Sequence, residues 1–329
     1  DAISQAESAG TLTVAVASED ASAVALPLEA EAMQSIADAE TDLAVETAIG
    51  SVTLAADAVK TLAAEEKEVV VSVVANEDGS TTVDVALDGE TADITVKAEL
   101  PATEGSKVLV IVYADGTEEV VKKSMVDGDT VYASLPAGAT VKTVDNAKDF
   151  DDVGDAWYTE YVDFVSSHEL FEGTEEGVFA PEEKMTRAMI VTVLYRLESE
   201  PETGVSSAFG DVAADKWYSD AVAWAVGEGI TDGYENGDFG VSDNVTREQI
   251  ATFIYRYMNA IGADTSVTGD VAQFTDGGEV STWAADAMAW AVGAGLFEGD
   301  DTGSLNPGGE ASRAEVAALM TRLVKLVMQ

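Results

Sequence analysis

Along the first part of the chain, apolar residues recur in short β-branched runs separated by turn signals. The runs are TLTVAVAS (11–18), DLAVETAIGSVTL (42–54), KEVVVSVVA (67–75), TTVDVALDG (81–89), ADITVKAEL (92–100), KVLVIVYADG (107–116) and EEVVKKSMV (118–126), punctuated by NEDG, LDG and YADG. This pattern predicts an antiparallel sheet. Two Ala-rich segments instead show helical spacing, at Met33, Ile36 and Ala37 and again at Val59, Leu62 and Ala63. Each follows a similar lead-in, VALP at 24–27 and VTLA at 52–55, which suggests a strand-helix duplication. Residues 1–145 are therefore expected to form an α+β module, a β-sheet with two short helices.

Beyond residue 149 the period changes to that of helices, and the pattern repeats three times. The repeats begin FDDVGDAWYTEY at 150, FGDVAADKWYSD at 209 and FTDGGEVSTWAA at 274. From Trp157, Trp217 and Trp283 onward the register is fixed. A glycine follows 16 residues later (Gly173, Gly233, Gly299), an arginine 30 later (Arg187, Arg247, Arg313), and a second arginine nine beyond that (Arg196, Arg256, Arg322). Those six are all the arginines in the protein. In each repeat a first helix is predicted after the tryptophan, with a stripe such as Tyr218, Ala221, Val222, Ala225 and Val226. A second helix carries Ile190, Val193, Leu194 and Leu197, or Ile250, Phe253, Ile254 and Tyr257, or Val316, Leu319, Met320 and Leu323. Neither helix is long enough to be stable alone, so the three pairs must bury their stripes against one another.

Composition sharpens the division. All nine Phe, all five Trp and all six Arg lie at or after Phe150, leaving Tyr113 and Tyr132 as the only aromatics before it. With 62 acidic and 17 basic residues the net charge is -45, which opposes nucleic acid and anionic membrane partners. The chain has no cysteine and one histidine, His168, so thiolate chemistry is absent and histidine chemistry is nearly so. His168, in SSHE, is expected to be exposed or to cap a helix C-terminus. No run of 18 apolar residues predicts a membrane span. The opening DAISQAESAG, without initiator methionine or basic region, is expected to belong to a mature or excised segment.

One charge looks misplaced. In NVTREQIATFIYRYM, Thr246 and Gln249 predict a capping box, which puts Arg247 in the first helical turn. A cation there is disfavoured by roughly 0.3 to 1 kcal/mol. The same arginine recurs at 187 and 313.

The pattern F-x-D, Trp, helix, Gly, F-x-P and T-R-x-E/Q, in triplicate over about 180 residues, resembles the S-layer homology (SLH) domain of bacterial surface proteins. The resemblance implies a pseudo-threefold, mostly helical SLH trimer with repeats at 150–205, 209–265 and 274–329. It also implies non-catalytic cell-wall anchoring at the surface of a bacterium, Gram-positive by expectation. The implied partner is secondary cell wall polysaccharide bearing a pyruvylated, carboxylate-carrying sugar, with other surface-layer proteins as further partners and no cofactor or metal. In that reading Arg187, Arg247 and Arg313 meet the carboxylate beside free helix N–H groups. Trp157, Trp217 and Trp283 pack on the sugar or else anchor the core. Gly173, Gly233 and Gly299 admit the ligand or else supply positive φ. Asp152, Asp211 and Asp276 match the family's acidic position or else cap turns, and Arg196, Arg256 and Arg322 read as structural.

The repeats also differ. Met189 replaces the E/Q of the capping box, Glu169 replaces the glycine found at Gly229 and Gly295, Val241 stands where Pro181 and Pro307 do, and Leu305 where Phe179 and Phe239 do. Grooves using Arg247 and Arg313 are accordingly expected to bind better than the one using Arg187. Two alternatives remain. A glycan-active enzyme would draw on N-terminal carboxylates, but that half has no Trp or Phe to line a sugar cleft and no G-x-S-x-G motif or P-loop. Calcium-dependent self-association would use the acidic loops DGYENGD (232–238) and EGDDTG (298–303), which lack the alternating ligands of an EF-hand.

Overall fold

A computed structural model of the chain describes residues 2–8, 10–17, 22–204, 206 and 209–328. Asp1, Ser18, Val205 and Gln329, each an end of an expected strand or domain, lie outside the described residues. The chain divides into two compact units, Asp1–Asn146 and Ala147–Val327.

The first unit is built on two sheets rather than the single sheet expected. Its strands are β1 (Ala2–Ser8), β2 (Thr11–Ala17), β3 (Ala23–Leu28), β4 (Asp42–Glu46), β5 (Ser51–Leu54), β6 (Val69–Ala75), β7 (Thr81–Leu87), β8 (Glu90–Thr91), β9 (Thr95–Pro101), β10 (Val108–Val112), β11 (Glu118–Val120), β12 (Ser124–Asp127), β13 (Thr130–Pro136) and β14 (Ala139–Val144). One sheet runs β1-β2-β4-β5-β9-β13-β12, the other β11-β10-β14-β7-β6-β3 with β8 on β7. Every pairing is antiparallel except β2 with β4, which is parallel from Thr11↔Asp42 to Ala15↔Glu46.

Two of the expected runs are broken. The run at 42–54 is a hairpin, closed where the Thr47 N–H donates to the Gly50 carbonyl at 2.9 Å. The run at 118–126 splits into β11 and β12, which lie in different sheets. The helices α1 (Ala30–Asp38) and α2 (Ala56–Ala63) bury the residues expected of them: Met33, Ile36 and Ala37 in one, Val59, Leu62 and Ala63 in the other. Alternation along each strand sends one row of side chains inward, as in β3 and β9. Val14, Val45 and Leu54 from one sheet meet Leu26, Val71 and Val85 from the other in one core with both helices. The two strand-helix segments are present, but β3 and β5 belong to different sheets, so they do not form equivalent layers.

The second unit is helical: α3 (Thr159–Ser167), α4 (Arg187–Leu197), α5 (Ser219–Gly227), α6 (Arg247–Ala260), α7 (Ala285–Gly293) and α8 (Arg313–Met328), with short 3-10 turns between α6 and α7. All twelve residues of the three second-helix stripes are buried. Tyr195 of α4 meets Trp224 of α5 at 5.7 Å between ring centroids, and Tyr255 of α6 meets Trp290 of α7 at 5.6 Å. In the first-helix stripe of repeat 2, Val226 is exposed and Trp224 is buried in its stead. His168 is the C-cap of α3, with Nδ1 2.8 Å from the Phe164 carbonyl oxygen, but it is fully buried and stacked on the Phe164 ring rather than exposed.

Candidate functional site

The six arginines organise the second unit. Each first-turn arginine projects onto the loop of a different repeat, just before that repeat's own second helix. Arg187 Nε donates to the Phe239 carbonyl at 2.8 Å, Arg247 Nε to Leu305 at 2.9 Å, and Arg313 Nε to Phe179 at 2.7 Å. Backbone bonds run the same way: the N–H groups of Arg187, Arg247 and Arg313 donate to Asp243, Gly309 and Glu183, each at 2.9 Å. Three further bonds close on themselves, from Val245 N–H to Met185, from Ala311 N–H to Val245, and from Met185 N–H to Ala311.

These bonds correct the expectation of free N–H groups at the helix starts. The first amide is taken by another repeat in all three helices, and in α6 and α8 so is the second, with Glu248 donating to Pro307 and Ala314 to Pro181. The third amide goes to the cap hydroxyl of Thr186, Thr246 or Ser312. Even Met189 forms a box, its Sδ accepting from Thr186 N–H at 3.5 Å, so the box in repeat 1 is weakened rather than lost.

The acidic position grips the same loop from the other side. Asp152 accepts from the N–H groups of Phe179 and Ala180, Asp211 from Phe239, Gly240 and Val241, and Asp276 from Leu305, Asn306 and the Ser304 hydroxyl. The loop needs this hold because Ala180, Gly240 and Asn306 all have positive φ. For Asp276 the Ser304 hydroxyl bond depresses the pKa; for Asp211 desolvation pushes upward but the three backbone bonds outweigh it. The turn-capping role open to these aspartates is therefore the one their contacts display.

Burial lowers the pKa of all three first-turn guanidinium groups, and aromatic faces replace water around them. Arg187 lies 4.3 Å from the Tyr234 ring centroid, Arg247 4.9 Å from Phe297, and Arg313 4.6 Å from Phe179. Among the described residues none of the three pairs with a carboxylate. The other three do: Arg196 with Glu172, Arg256 with Asp232 and Arg322 with Glu298.

Trp157, Trp217 and Trp283 are 61%, 61% and 58% exposed, so they are not core anchors. Trp224 and Trp290 fill that role. A Cβ on Gly233 or Gly299 would strike the opening phenylalanine of its repeat, Phe209 or Phe274, and one on Gly173 would strike the Val178 and Glu175 carbonyl oxygens and crowd Phe150. Only Gly233 has positive φ, so close packing rather than backbone conformation requires glycine at all three.

Two grooves bring these residues together. One, of about 480 Å³, is lined by Gly173 and Arg196 of repeat 1, Trp217 of repeat 2 and Arg313 of repeat 3. The other, of about 390 Å³, is lined by Gly233, Tyr234 and Arg256 of repeat 2, Trp283 of repeat 3 and Arg187 of repeat 1. Each takes residues from all three repeats. Sequence reasoning missed the second arginines as groove residues, although their fixed register was the available signal. The acidic loops fold onto themselves, with Asp300 accepting from Thr302 and Ser304 N–H groups. Among the described residues no three His, Cys, Asp or Glu side chains converge to hold a metal, and no helix is long and apolar enough to cross a membrane.

The family model of the S-layer homology domain matches residues 148–188, 208–251 and 273–317. The chain is 29% identical over 201 residues to a surface-layer 125 kDa protein of Lysinibacillus sphaericus, covering 59% of this chain and 16% of that one. It is 26% identical over 157 residues to a cellulosome-anchoring protein of Acetivibrio thermocellus, covering 46% and 35%. It is 24% identical over 221 residues to exoglucanase XynX of the same species, covering 67% and 20%. The matches thus span about a third of these relatives or less.

Proposed function

This chain carries three tandem S-layer homology domains, and on that premise we propose that it is a non-catalytic anchor holding a surface protein to the wall of a bacterium, Gram-positive in our reading. The ligand is secondary cell wall polysaccharide, bound in grooves between repeats through a carboxylate-bearing, pyruvylated sugar. The observation that carries this reading is the composition of the grooves: an exposed indole face, a close-packed glycine loop, and a guanidinium that has no carboxylate partner among the described residues. An aromatic face suits a sugar ring, and a desolvated cation suits a carboxylate. The closed cycle of bonds through Met185, Val245 and Ala311 supports a pseudo-threefold arrangement, in which Arg247, Gly299 and Trp157 would complete a third groove.

Relatives named as an exoglucanase, a surface-layer protein and a cellulosome-anchoring protein match this chain over a minor part of their own lengths. That distribution fits one anchor attached to varied cargo, with residues 1–145 as a spacer or display module and other surface-layer proteins as neighbours.

The test is co-sedimentation with purified cell walls, native or stripped of pyruvyl groups, using the intact chain and a Trp217→Ala/Trp283→Ala variant. Because these indoles are exposed, the variant is expected to fold. Loss of sedimentation on both changes supports the reading. Undiminished binding to stripped walls by the variant would move the wall-binding surface elsewhere in the chain.

A further inference from the structure

The turns that carry the three exposed tryptophans are fastened in two different ways. In repeats 1 and 2 the fastening is local. Thr159, two residues after Trp157, donates its hydroxyl to the Gly154 carbonyl and accepts from Ala156 N–H at 3.1 Å. Ser219, two residues after Trp217, donates to Ala213 at 2.9 Å and accepts from Lys216 N–H at 2.8 Å. In each case the hydroxyl holds the amide just before the tryptophan. Repeat 3 has Ala285 at this position, so that hydroxyl is missing.

The turn is held instead from another repeat, one residue earlier. Glu248, in the first turn of α6, is 9% exposed and accepts from both the N–H and the hydroxyl of Ser281, each at 2.9 Å. Ser281 begins the 3-10 turn Thr282–Ala284 that contains Trp283. The residues at these junctions differ as a set. Where Glu248 stands on the helix, Ser281 faces it; where Ala188 and Ala314 stand, the matching turn positions are Asp215 and Asp155. A carboxylate opposite either aspartate would be repelled, whereas opposite a serine it receives two donors.

We infer that Glu248 is the positioning residue for Trp283, an inter-repeat clamp that replaces the local hydroxyl and fixes the indole in the groove with Arg187, Gly233 and Arg256. The inference deepens the proposed wall-binding function and rests on it for its effect on affinity, but not for the positioning itself. The next residue, Gln249, lines the same groove, so Glu248 joins its helical wall to the turn bearing its indole. The clamp makes this groove dependent on the junction between repeats 2 and 3. In the groove with Trp217, the turn that bears the indole is fastened by a contact within repeat 2.

The test uses the full chain with Trp157→Phe and Trp217→Phe, which leaves Trp283 as the one exposed indole beside the buried Trp224 and Trp290. On that background Glu248→Ala is compared with Glu248→Ala/Ala285→Ser, where the introduced serine restores the local hydroxyl. Acrylamide quenching and fluorescence anisotropy report Trp283, a urea midpoint monitors folding, and co-sedimentation with native walls gives affinity. Glu248→Ala is expected to raise quenching, lower anisotropy and weaken wall binding by about fivefold, the scale of one net hydrogen bond. The serine is expected to restore all three to within about twofold. Unchanged quenching in Glu248→Ala, or no rescue by Ala285→Ser, overturns the inference. If the background protein with Glu248 intact fails to bind walls while the chain with all five tryptophans binds, the other grooves carry the affinity and quenching decides the clamp. If the chain with all five tryptophans also fails to bind, the anchoring reading falls and quenching still decides it.

Discussion

Arg313 illustrates how much one side chain holds. Its Nε and Nη2 donate to the carbonyls of Phe179 and Glu172, both at 2.7 Å, while its planar cation covers the Phe179 ring. Truncation would leave two carbonyls of a different repeat without donors. Arg313→Ala is therefore expected to cost about 2–4 kcal/mol, read from urea denaturation, and Arg313→Lys to recover only part because an ammonium cannot reproduce the fork. For this reason an alanine scan of these arginines confuses folding with binding, and the exposed tryptophans are the cleaner probes. Ala180 offers the opposite case. Its φ of 57° is strained for a residue with a Cβ, and the equivalent position in repeat 2 is Gly240. Ala180→Gly is expected to stabilise the protein by about 0.5–1 kcal/mol, measured as a shift in denaturation midpoint.

At the scale of the element, the second helices owe their starts to capping boxes of unequal strength. In α6 the carbonyl of the Gln249 side chain accepts from Thr246 N–H at 3.2 Å, and in α8 Glu315 accepts from Ser312 N–H at 2.6 Å. In α4 the acceptor is a thioether at 3.5 Å, a much weaker partner. Met189→Glu is expected to stabilise the unit by about 0.5–1 kcal/mol, since it supplies a carboxylate both to the cap and to the positive end of the helix. Thermal denaturation of the two proteins side by side checks it. The helices themselves were legible because their stripes repeat at 3.6 residues, and all twelve second-helix stripe positions are buried. The strands were less so. Pro27 falls inside β3, where it is tolerated because that strand lies at the edge of its sheet. No local pattern signals that β11 and β12, three residues apart, enter different sheets.

For the whole molecule, acid and salt are the informative variables. Asp211 and Asp276 have folded pKa values below their ordinary 3.8. They therefore add stability that is fully present above that value and is lost as pH falls through the depressed folded values. The Asp211→Asn and Asp276→Asn variants are expected to start less stable at neutral pH and to show a shallower loss on acidification, measured as urea midpoint against pH. The charge of -45 acts over a longer range. Raising ionic strength from about 0.01 M to about 0.15 M shortens the screening length from about 30 Å to about 8 Å. The thermal midpoint is expected to rise across that range as self-repulsion is screened.

The sequence alone determined what is local or periodic: the triple register of Trp, Gly and Arg, the helical stripes, the caps, and the resemblance to S-layer homology domains. Only the tertiary structure decided where those residues meet. Arg313 and Phe179 are 134 positions apart along the chain and 2.7 Å apart in space, and a repeat shows its own period but not which other repeat it grips. For the same reason the sequence left open which tryptophans are exposed, that the glycines make room for phenylalanine rings, and that the helix N–H groups are already bonded. Each depends on closure of a chain segment upon others far along it, and closure leaves no mark in local residue patterns.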